Sequence, residues 1–159
     1  RAMEVAALLR DRNWTALAAT VHPEDGVTFT PYSYVTESDQ TFTGSQIAAF
    51  GSDSNQYLWG YFDGVGDPME LTPEEYFDRF VYNADYVEAP YLAVNRVLSR
   101  GNSLENVADA YPDGQFVEFY FDMLAEEYEG FDWCALKLVF RPYEGELMLV
   151  GVIHSQWTI

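Results

Sequence analysis

The feature that most constrains the fold is a pair of long β-rich runs at the C-terminus, Trp133 to Tyr143 and Glu146 to Trp157. The dipeptide Glu144-Gly145 joins them, and so short a connection ending in glycine predicts a β-hairpin. Apolar and charged residues alternate in the first run, which predicts one buried face and one wet face. The buried face carries Cys134, Leu136, Leu138 and Phe140, and the wet face carries Lys137 and Arg141.

The second run also alternates, up to the last residue, Ile159. Its more apolar face carries Leu149, Ile153 and Trp157, and the opposite face carries Val150, Val152 and His154. Because large apolar side chains are costly to expose, we expect the end of this strand to be well paired and Trp157 to be buried against a helical layer.

Helix signals lie upstream of this hairpin. Met3 to Val21 has helical apolar spacing, with Asn13 as a cap between two short helices. The sequence Thr72-Pro73-Glu74-Glu75 predicts a helix start, with Thr72 as N-cap and Glu75 completing a capping box. We expect that helix to reach about Phe80. It would present Tyr76, Phe77 and Phe80 to the core.

Further strands and short helices complete the pattern. Strands are predicted at Val27 to Val35, Tyr57 to Phe62, Tyr91 to Ser99 and Phe116 to Asp122, and short helices at Gln46 to Phe50, capped by Ser45, and at Asn102 to Tyr111. This order predicts an α+β domain over residues 1–159, with N-terminal helices packed on a curved, mainly antiparallel sheet.

The charge of the chain excludes several classes of partner. It has 26 Asp and Glu against 8 Lys and Arg, a net charge of −18. Such a field repels phosphate backbones and anionic lipid surfaces, so we expect neither nucleic-acid binding nor binding to anionic membrane surfaces. No apolar run approaches the ~20 residues needed to span a bilayer, so we expect no membrane insertion by this domain. A single cysteine, Cys134, allows neither an internal disulfide nor a zinc site built from thiolates, and its setting is typical of a buried small hydrophobe.

No sequence motif indicates a catalytic centre or a cofactor. Ser-His-Asp order, HExxH, a phosphate-binding loop and GxGxxG are all missing from the sequence. Asp63 and Asp67 lie in a glycine-rich stretch, but the spacing lacks the alternating ligands and closing glutamate of a calcium loop, which favours a plain turn. The prediction is therefore no catalytic residue, no metal and no cofactor.

Two polar residues in predicted strands stand out. Arg96 lies on an otherwise aliphatic face, where it either binds an anion or, as we favour, pairs with Glu118 or Asp85. His154 is either a general base or ligand contact at a pocket mouth or, as we favour, a histidine hydrogen-bonded across the sheet. If a pocket exists, the expected lining is Trp59, Tyr61, Tyr82, Arg96, His154 and Trp157.

The order of elements resembles the nuclear transport factor 2-like superfamily, whose members share a cone-shaped fold. Several segments also resemble a group of bacterial secreted or lipid-anchored proteins that has no known activity. These segments are Val21-His22-Pro23 with Gly26-Val27, Trp59-Gly60-Tyr61-Phe62-Asp63-Gly64, Phe80-Val81-Tyr82-Asn83 with Asp85-Tyr86, Gly101-Asn102-Ser103, Asp132-Trp133 and His154-Ser155-Gln156-Trp157-Thr158-Ile159. The resemblance implies a fold and an extracellular or cell-envelope location, with an N-terminal signal removed before Arg1.

Three functional hypotheses remain open from the sequence. We favour a non-enzymatic domain of the bacterial cell envelope that binds a small molecule or an envelope protein. The second hypothesis is a small-molecule enzyme, of isomerase or cyclase type, that uses His154 with a carboxylate. The third is a structural accessory domain that forms a homodimer through the face of its sheet. An enclosed pocket where His154 meets a carboxylate would favour the enzyme, and a filled interior would favour the other two.

Overall fold

The computed structural model describes residues 1–158 as helices packed on a mixed, mainly antiparallel sheet, which confirms the predicted α+β class. The terminal Ile159 lies outside the described residues. The helices are α1 (Ala2–Asp11), α2 (Trp14–Ala18), α3 (Gly44–Ala48), α4 (Pro73–Tyr76) and α5 (Val107–Ala110). The strands are β1 (Val27–Thr30), β2 (Gln40–Phe42), β3 (Tyr57–Tyr61), β4 (Pro68–Leu71), β5 (Tyr91–Val94), β6 (Gln115–Phe121), β7 (Cys134–Tyr143) and β8 (Glu146–Gln156).

Six strands form the main sheet in the order β2-β1-β8-β7-β6-β5, and β3 and β4 form a separate hairpin. Every pairing in the main sheet is antiparallel except that of β1 with β8, which is parallel. The longest strands, β7 and β8, therefore lie at the centre. Among residues 1–158, no helix combines the length and the apolar character that crossing a membrane requires.

The predicted C-terminal hairpin is confirmed, but its register contains an irregularity. Val139 pairs with Gly151 and Phe140 pairs with Leu149, which leaves Val150 as an extra residue on β8. The bulge reverses the alternation at that point, because side chains on a strand point alternately to opposite faces. The single phase predicted for the second run is therefore wrong. Leu149 packs with Val152 in the main core, whereas Val150 and Ile153 pack on the other face.

Helices α1 to α4 pack on the first face of the sheet, where aromatic side chains fill the interior. Phe29 of β1 lies at the centre of this cluster, with edge-on contacts to Phe42, Trp59 and Tyr76. The Trp59 and Tyr76 rings stack with centroids 4.0 Å apart and planes 10° from parallel. Packed rings of this kind bury large apolar areas and leave little free volume.

The capping box predicted at Thr72 is present. Thr72 Oγ1 accepts from the Glu75 amide at 3.3 Å, and the Glu75 carboxylate accepts from the Thr72 amide at 2.8 Å. The helix continues past Tyr76 as one π-helical turn, Phe77–Val81. Tyr76, Phe77 and Phe80 are buried, as predicted. The cap predicted at Ser45 is instead made by Thr43, which forms a capping box with Gln46.

The segment 95–111 covers the second face of the sheet and departs from its prediction. Strand β5 ends at Val94 because Asn95 adopts a positive φ of 55° and turns the chain, while its side chain accepts from the Phe116 amide. The predicted helix over Asn102 to Tyr111 is reduced to α5. Asn102 does not cap α5, because its side-chain amide donates to the Thr158 backbone carbonyl at 2.8 Å.

Beneath this segment lies a fully buried pair, Glu118 and Lys137. The Glu118 carboxylate accepts from the Leu98 amide and from both the amide and the hydroxyl of Ser99. Lys137 Nζ lies 3.9 Å from Glu118 Oε1 and has no hydrogen-bond partner among the described residues. Burial lowers the pKa of Lys137, because desolvation disfavours the charged amine. Lys137 was predicted on a wet face, and this is wrong.

The unequal bonding of this pair predicts unequal costs of mutation. Glu118→Ala removes the acceptor of three donors and leaves Lys137 buried without its partner, so we expect the free energy of unfolding to fall by about 3–5 kcal/mol. Lys137→Met removes a group without a hydrogen bond and keeps the apolar stem, so its cost should be clearly smaller. Urea denaturation measures the loss of unfolding free energy in the two variants, and Glu37→Ala, at an exposed position, is the control. Equal losses for the two variants would contradict this account.

Candidate functional site

The structure does not bring the six predicted pocket residues together. Trp59 is fully buried in the aromatic core, where its Nε1 donates to the Leu71 carbonyl at 2.8 Å. Tyr61, from the same strand, is 58% exposed. Tyr82 donates to Asp85 at 2.6 Å and accepts from the Val87 amide. Burial, together with the hydrogen bond to Asp85, raises the pKa of Tyr82 to about 12. These contacts are structural, and none of the three residues lines a cleft described below.

Arg96 lies beyond the end of β5 and is exposed to solvent. Its predicted pairing with Glu118 or Asp85 is wrong. Within residues 1–158, Glu118 is held by the 98–99 backbone and Ser99, and Asp85 accepts from Tyr82. The prediction failed because it continued β5 through Asn95, where the chain turns away. The residue opposite Glu118 of β6 is Lys137, which lies on the neighbouring strand β7.

His154 is fully buried on the first face of the sheet, with its ring edge-on to Phe80 at 5.5 Å. Its Nδ1 lies 2.9 Å from the Pro31 carbonyl, and because a carbonyl only accepts, Nδ1 carries the proton. Its backbone carbonyl accepts from the Ser33 amide at 2.9 Å. The histidine therefore joins β8 to the segment that follows β1, as the favoured interpretation predicted.

The second ring nitrogen of His154 has no hydrogen-bond partner among the described residues. Burial lowers the pKa of His154 from 6.5 to about 4, with a smaller contribution from the positive charge of Lys137. The imidazole is therefore neutral at physiological pH. No carboxylate hydrogen-bonds to it within residues 1–158, so the acid–base pair required by the enzyme hypothesis is not assembled there.

Trp157 differs from its prediction and marks the candidate site. It follows the last residue of β8 and is 41% exposed, so its predicted burial against the helices is wrong. The strand itself is well paired to its end, since Gln156 lies opposite Cys134. Trp157 and Gln156 form a shared wall between two clefts at this end of the sheet.

The first cleft has a volume of about 450 Å³ and is lined by Tyr32, Phe62, Asp63, Val65, Arg79, Gln156 and Trp157. The Arg79 guanidinium lies 4.6 Å from the centre of the Phe62 ring and 5.6 Å from that of Phe80. The Tyr32 hydroxyl accepts from the Asp63 amide at 3.3 Å and so connects two walls of the cleft. Arg79 and Asp63 place charges of both signs in this cleft.

The second cleft has a volume of about 230 Å³ and is lined by Asn83, Leu124, Phe131, Asp132, Trp133, Cys134, Gln156 and Trp157. The Phe131 and Trp157 rings meet nearly at right angles, with planes 86° apart and centroids 5.7 Å apart. Asp132 Oδ2 accepts from the Ala125 amide at 2.7 Å, whereas Asp132 Oδ1 is buried without a hydrogen-bond partner among the described residues. This carboxylate oxygen is the least satisfied acceptor in either cleft.

The loop between β6 and β7 positions these side chains. It contains a 3-10 turn, Glu126–Tyr128, and reverses through Glu129 and Gly130, which both have positive φ. Trp133 is held from the other side by close packing on Gly101, where an added Cβ would approach the indole ring to 2.5 Å. Any side chain at position 101 would therefore displace Trp133.

A larger depression, about 770 Å³, lies at the opposite end of the molecule. It is lined mainly by small side chains of α2 and α3 and by the β7–β8 turn with Glu144 and Glu146. It has neither a buried polar atom without a partner nor a group of aromatic walls. Within residues 1–158, no three His, Cys, Asp or Glu side chains are arranged to hold a metal ion. The chemistry therefore points to the clefts around Trp157.

Of the predicted pocket residues, only Trp157 lies in this site. Sequence reasoning missed Tyr32, Arg79, Phe131 and Asp132, because they come from loops and from a helix end. The predicted hairpin could have indicated part of the site. Pairing of the hairpin places Trp133, which precedes β7, beside Trp157, which follows β8.

Comparisons with known proteins add little. No protein-family model matches the sequence, and no curated protein matches it significantly. Among solved structures, the chain is similar to a "Putative calcium/calmodulin dependent protein kinase II association domain" from Xanthomonas campestris. It shares 14% identity over 96% of this chain and 80% of that chain, with a TM-score of 0.38.

The buried neutral histidine predicts a pH dependence that can be isolated by mutation. Because the pKa of His154 is lowered in the folded state, the unfolded chain binds more protons between about pH 6.5 and pH 4, and this group's contribution to stability is lost as pH falls through that range. His154→Asn keeps a donor for the Pro31 carbonyl but does not titrate. The wild type should lose about 3 kcal/mol more unfolding free energy than the variant over this range.

Urea denaturation at several pH values measures this difference. Parallel stability curves for the wild type and His154→Asn would show that the folded protein binds the proton as readily as the unfolded chain does.

Proposed function

We propose that this chain is a non-enzymatic ligand-binding domain and that its site is formed by the two clefts on either side of Trp157. The observation that carries the proposal is the exposure of aromatic side chains in these clefts. Trp157 is 41% exposed and Phe131 is 62% exposed, and their rings contact each other in the second cleft. Exposed aromatic walls with a few polar groups are the usual composition of a site that a ligand covers.

The filled interior supports binding over catalysis. The space between helices and sheet is occupied by rings such as Phe29, Trp59 and Tyr76, and His154 is sealed behind Phe80. A substrate in the clefts would meet Asp63, Arg79 and Asp132, but no histidine lines either cleft among the described residues. These groups can fix a ligand by charge and hydrogen bonding, which is what a binding domain requires.

A location in the bacterial cell envelope is part of the proposal. It is supported by the segments that resemble secreted and lipid-anchored bacterial proteins, including Asp132-Trp133 and the stretch from His154 to Trp157 in the site itself. Fractionation of cells that produce the full-length protein, with detection in the soluble and envelope fractions, tests this location directly.

Ligand screening by NMR tests the binding site. Trp157→Ala removes the wall shared by both clefts, so it should abolish the chemical-shift changes that small aromatic or charged compounds cause near residues 130–134 and 156–157. The matched control is Tyr61→Ala, which removes another exposed aromatic residue outside both clefts. Ligand-induced shifts that concentrate around Tyr143 and α3, or that persist in Trp157→Ala, would place the site elsewhere.

A second candidate function is homodimer formation through the edge of the sheet. Strand β5 is an edge strand, and it exposes Tyr91 and Leu92, each 48% exposed, and Val94, 62% exposed. An apolar edge strand with unpaired backbone groups is a template for pairing with another chain. The second face of the sheet is less suited to this role, because segment 95–111 covers it.

Light scattering during size-exclusion chromatography tests the dimer. The wild type should show a mass that rises towards twice 18.2 kDa with increasing concentration. Val94→Lys should keep the protein monomeric, because it places charge in the edge contact. Leu104→Lys, at a residue 75% exposed outside the strand, is the control. A wild-type monomer at all concentrations would exclude this candidate.

A further inference from the structure

We infer that the second cleft, around Asp132, binds a methylated ammonium group, so that the ligand of this domain is an organic cation of the choline type. The inference rests on the proposed function and deepens it, since it assigns a chemical class to one half of the proposed site. It is argued from the aromatic walls, the unsatisfied carboxylate oxygen and the charge distribution of the cleft.

The aromatic walls have the arrangement that such a cation needs. Phe131 and Trp157 meet at 86°, so a group placed in the corner between them can contact both rings, and Trp133 also lines the cleft. Ring faces carry negative electrostatic potential and attract a cation within about 6 Å of their centres. Methyl groups on nitrogen spread the positive charge over an apolar surface, which suits these walls better than a strongly hydrated metal ion.

Asp132 supplies the opposite charge. Its Oδ2 is used by the Ala125 amide, but Oδ1 is buried and has no partner among residues 1–158. The Asp132 carboxylate lines the cleft, and its negative charge attracts a cation placed there. None of the described lining residues is Lys, Arg or His, so no cation of the protein within residues 1–158 takes this place in the cleft.

The surrounding charge favours the same ligand. The chain carries a net charge of −18, and the loop beside Asp132 contributes the exposed Glu126, Glu127 and Glu129. Such a field raises the local concentration of cations and their rate of association. The nearest cationic wall belongs to the first cleft, where Arg79 lies on the other side of Trp157. An anionic ligand would meet repulsion in the second cleft, and a neutral one would leave the negative charge of Asp132 without a counter-charge.

The proposal is tested by calorimetric titration with tetramethylammonium chloride and choline chloride at constant ionic strength. Both should bind in a saturable manner, whereas 3,3-dimethylbutanol, the uncharged analogue of choline with carbon in place of nitrogen, should bind at least tenfold more weakly. Asp132→Asn should weaken binding of the cations at least tenfold. Glu127→Gln, which removes a carboxylate of the same loop outside the cleft, should change it less than twofold.

A second variant keeps the test decisive if Asp132→Asn is poorly folded. Phe131 is 62% exposed, so the Phe131→Leu variant should fold normally. It should nevertheless bind the two cations at least fivefold more weakly, because the substitution removes one ring face. Sedimentation with phosphatidylcholine vesicles shows whether the same group is also recognised on a lipid headgroup or only as a free solute. Either source supports the inference.

Three results would overturn it: no saturable binding of the two cations, equal binding of the uncharged analogue, or undiminished binding by Asp132→Asn and Phe131→Leu. The broader binding proposal fails separately. If other compounds bind in the NMR screen and Trp157→Ala abolishes their binding, the site stands and only the ammonium assignment falls.

Discussion

The pairing of β7 with β8, including the extra residue at Val150, determines how the rest of the chain packs on the two faces of the sheet. These two strands occupy the centre of the sheet, and their register decides which side chains face the helices and which face segment 95–111. Without the bulge, Leu149 and Val152 would point to opposite faces, and one of the two cores would lose a large side chain. The bulge thus allows one strand to supply apolar residues to both faces. The bulge also determines which face each later residue of β8 points to, up to Gln156 and the Trp157 that follows it at the end of the sheet.

The aromatic core then decides where a site can lie. Phe29 contacts several rings at once, and Trp59 and Tyr76 stack closely, so the interior has no room for a ligand of ordinary size. A binding site is therefore restricted to the ends of the sheet, where strands give way to loops. At one end the loops contribute small side chains around the Glu144-Gly145 turn. At the other end the loops contribute Phe131 and Asp132 and the π-helical turn contributes Arg79, so this end carries aromatic rings and charges of both signs.

Sequence patterns predicted the elements much better than the site, for physical reasons that particular residues make clear. The capping box at Thr72 and the hairpin turn at Glu144-Gly145 depend on local chemistry, which the sequence contains in full. The end of β5 depends on Asn95, whose positive φ is held by hydrogen bonds to Phe116, a residue distant in sequence. Arg96 was misplaced for that reason, and Lys137 was misplaced because the pattern of β7 alone does not reveal that segment 95–111, which precedes it in the chain, covers its polar face.

Buried polar groups and exposed aromatic groups carry different information in this protein. Glu118, His154 and Lys137 are polar residues in the interior, and each has a structural explanation: three donors for the first, a backbone carbonyl for the second, a neighbouring carboxylate for the third. The lowered pKa values of His154 and Lys137 follow from burial and need no catalytic role. Phe131 and Trp157 differ from these residues, because their rings contact each other at a cleft and remain 62% and 41% exposed. A cationic ligand that covers these rings would account for their exposure and would place a positive charge near the Asp132 carboxylate.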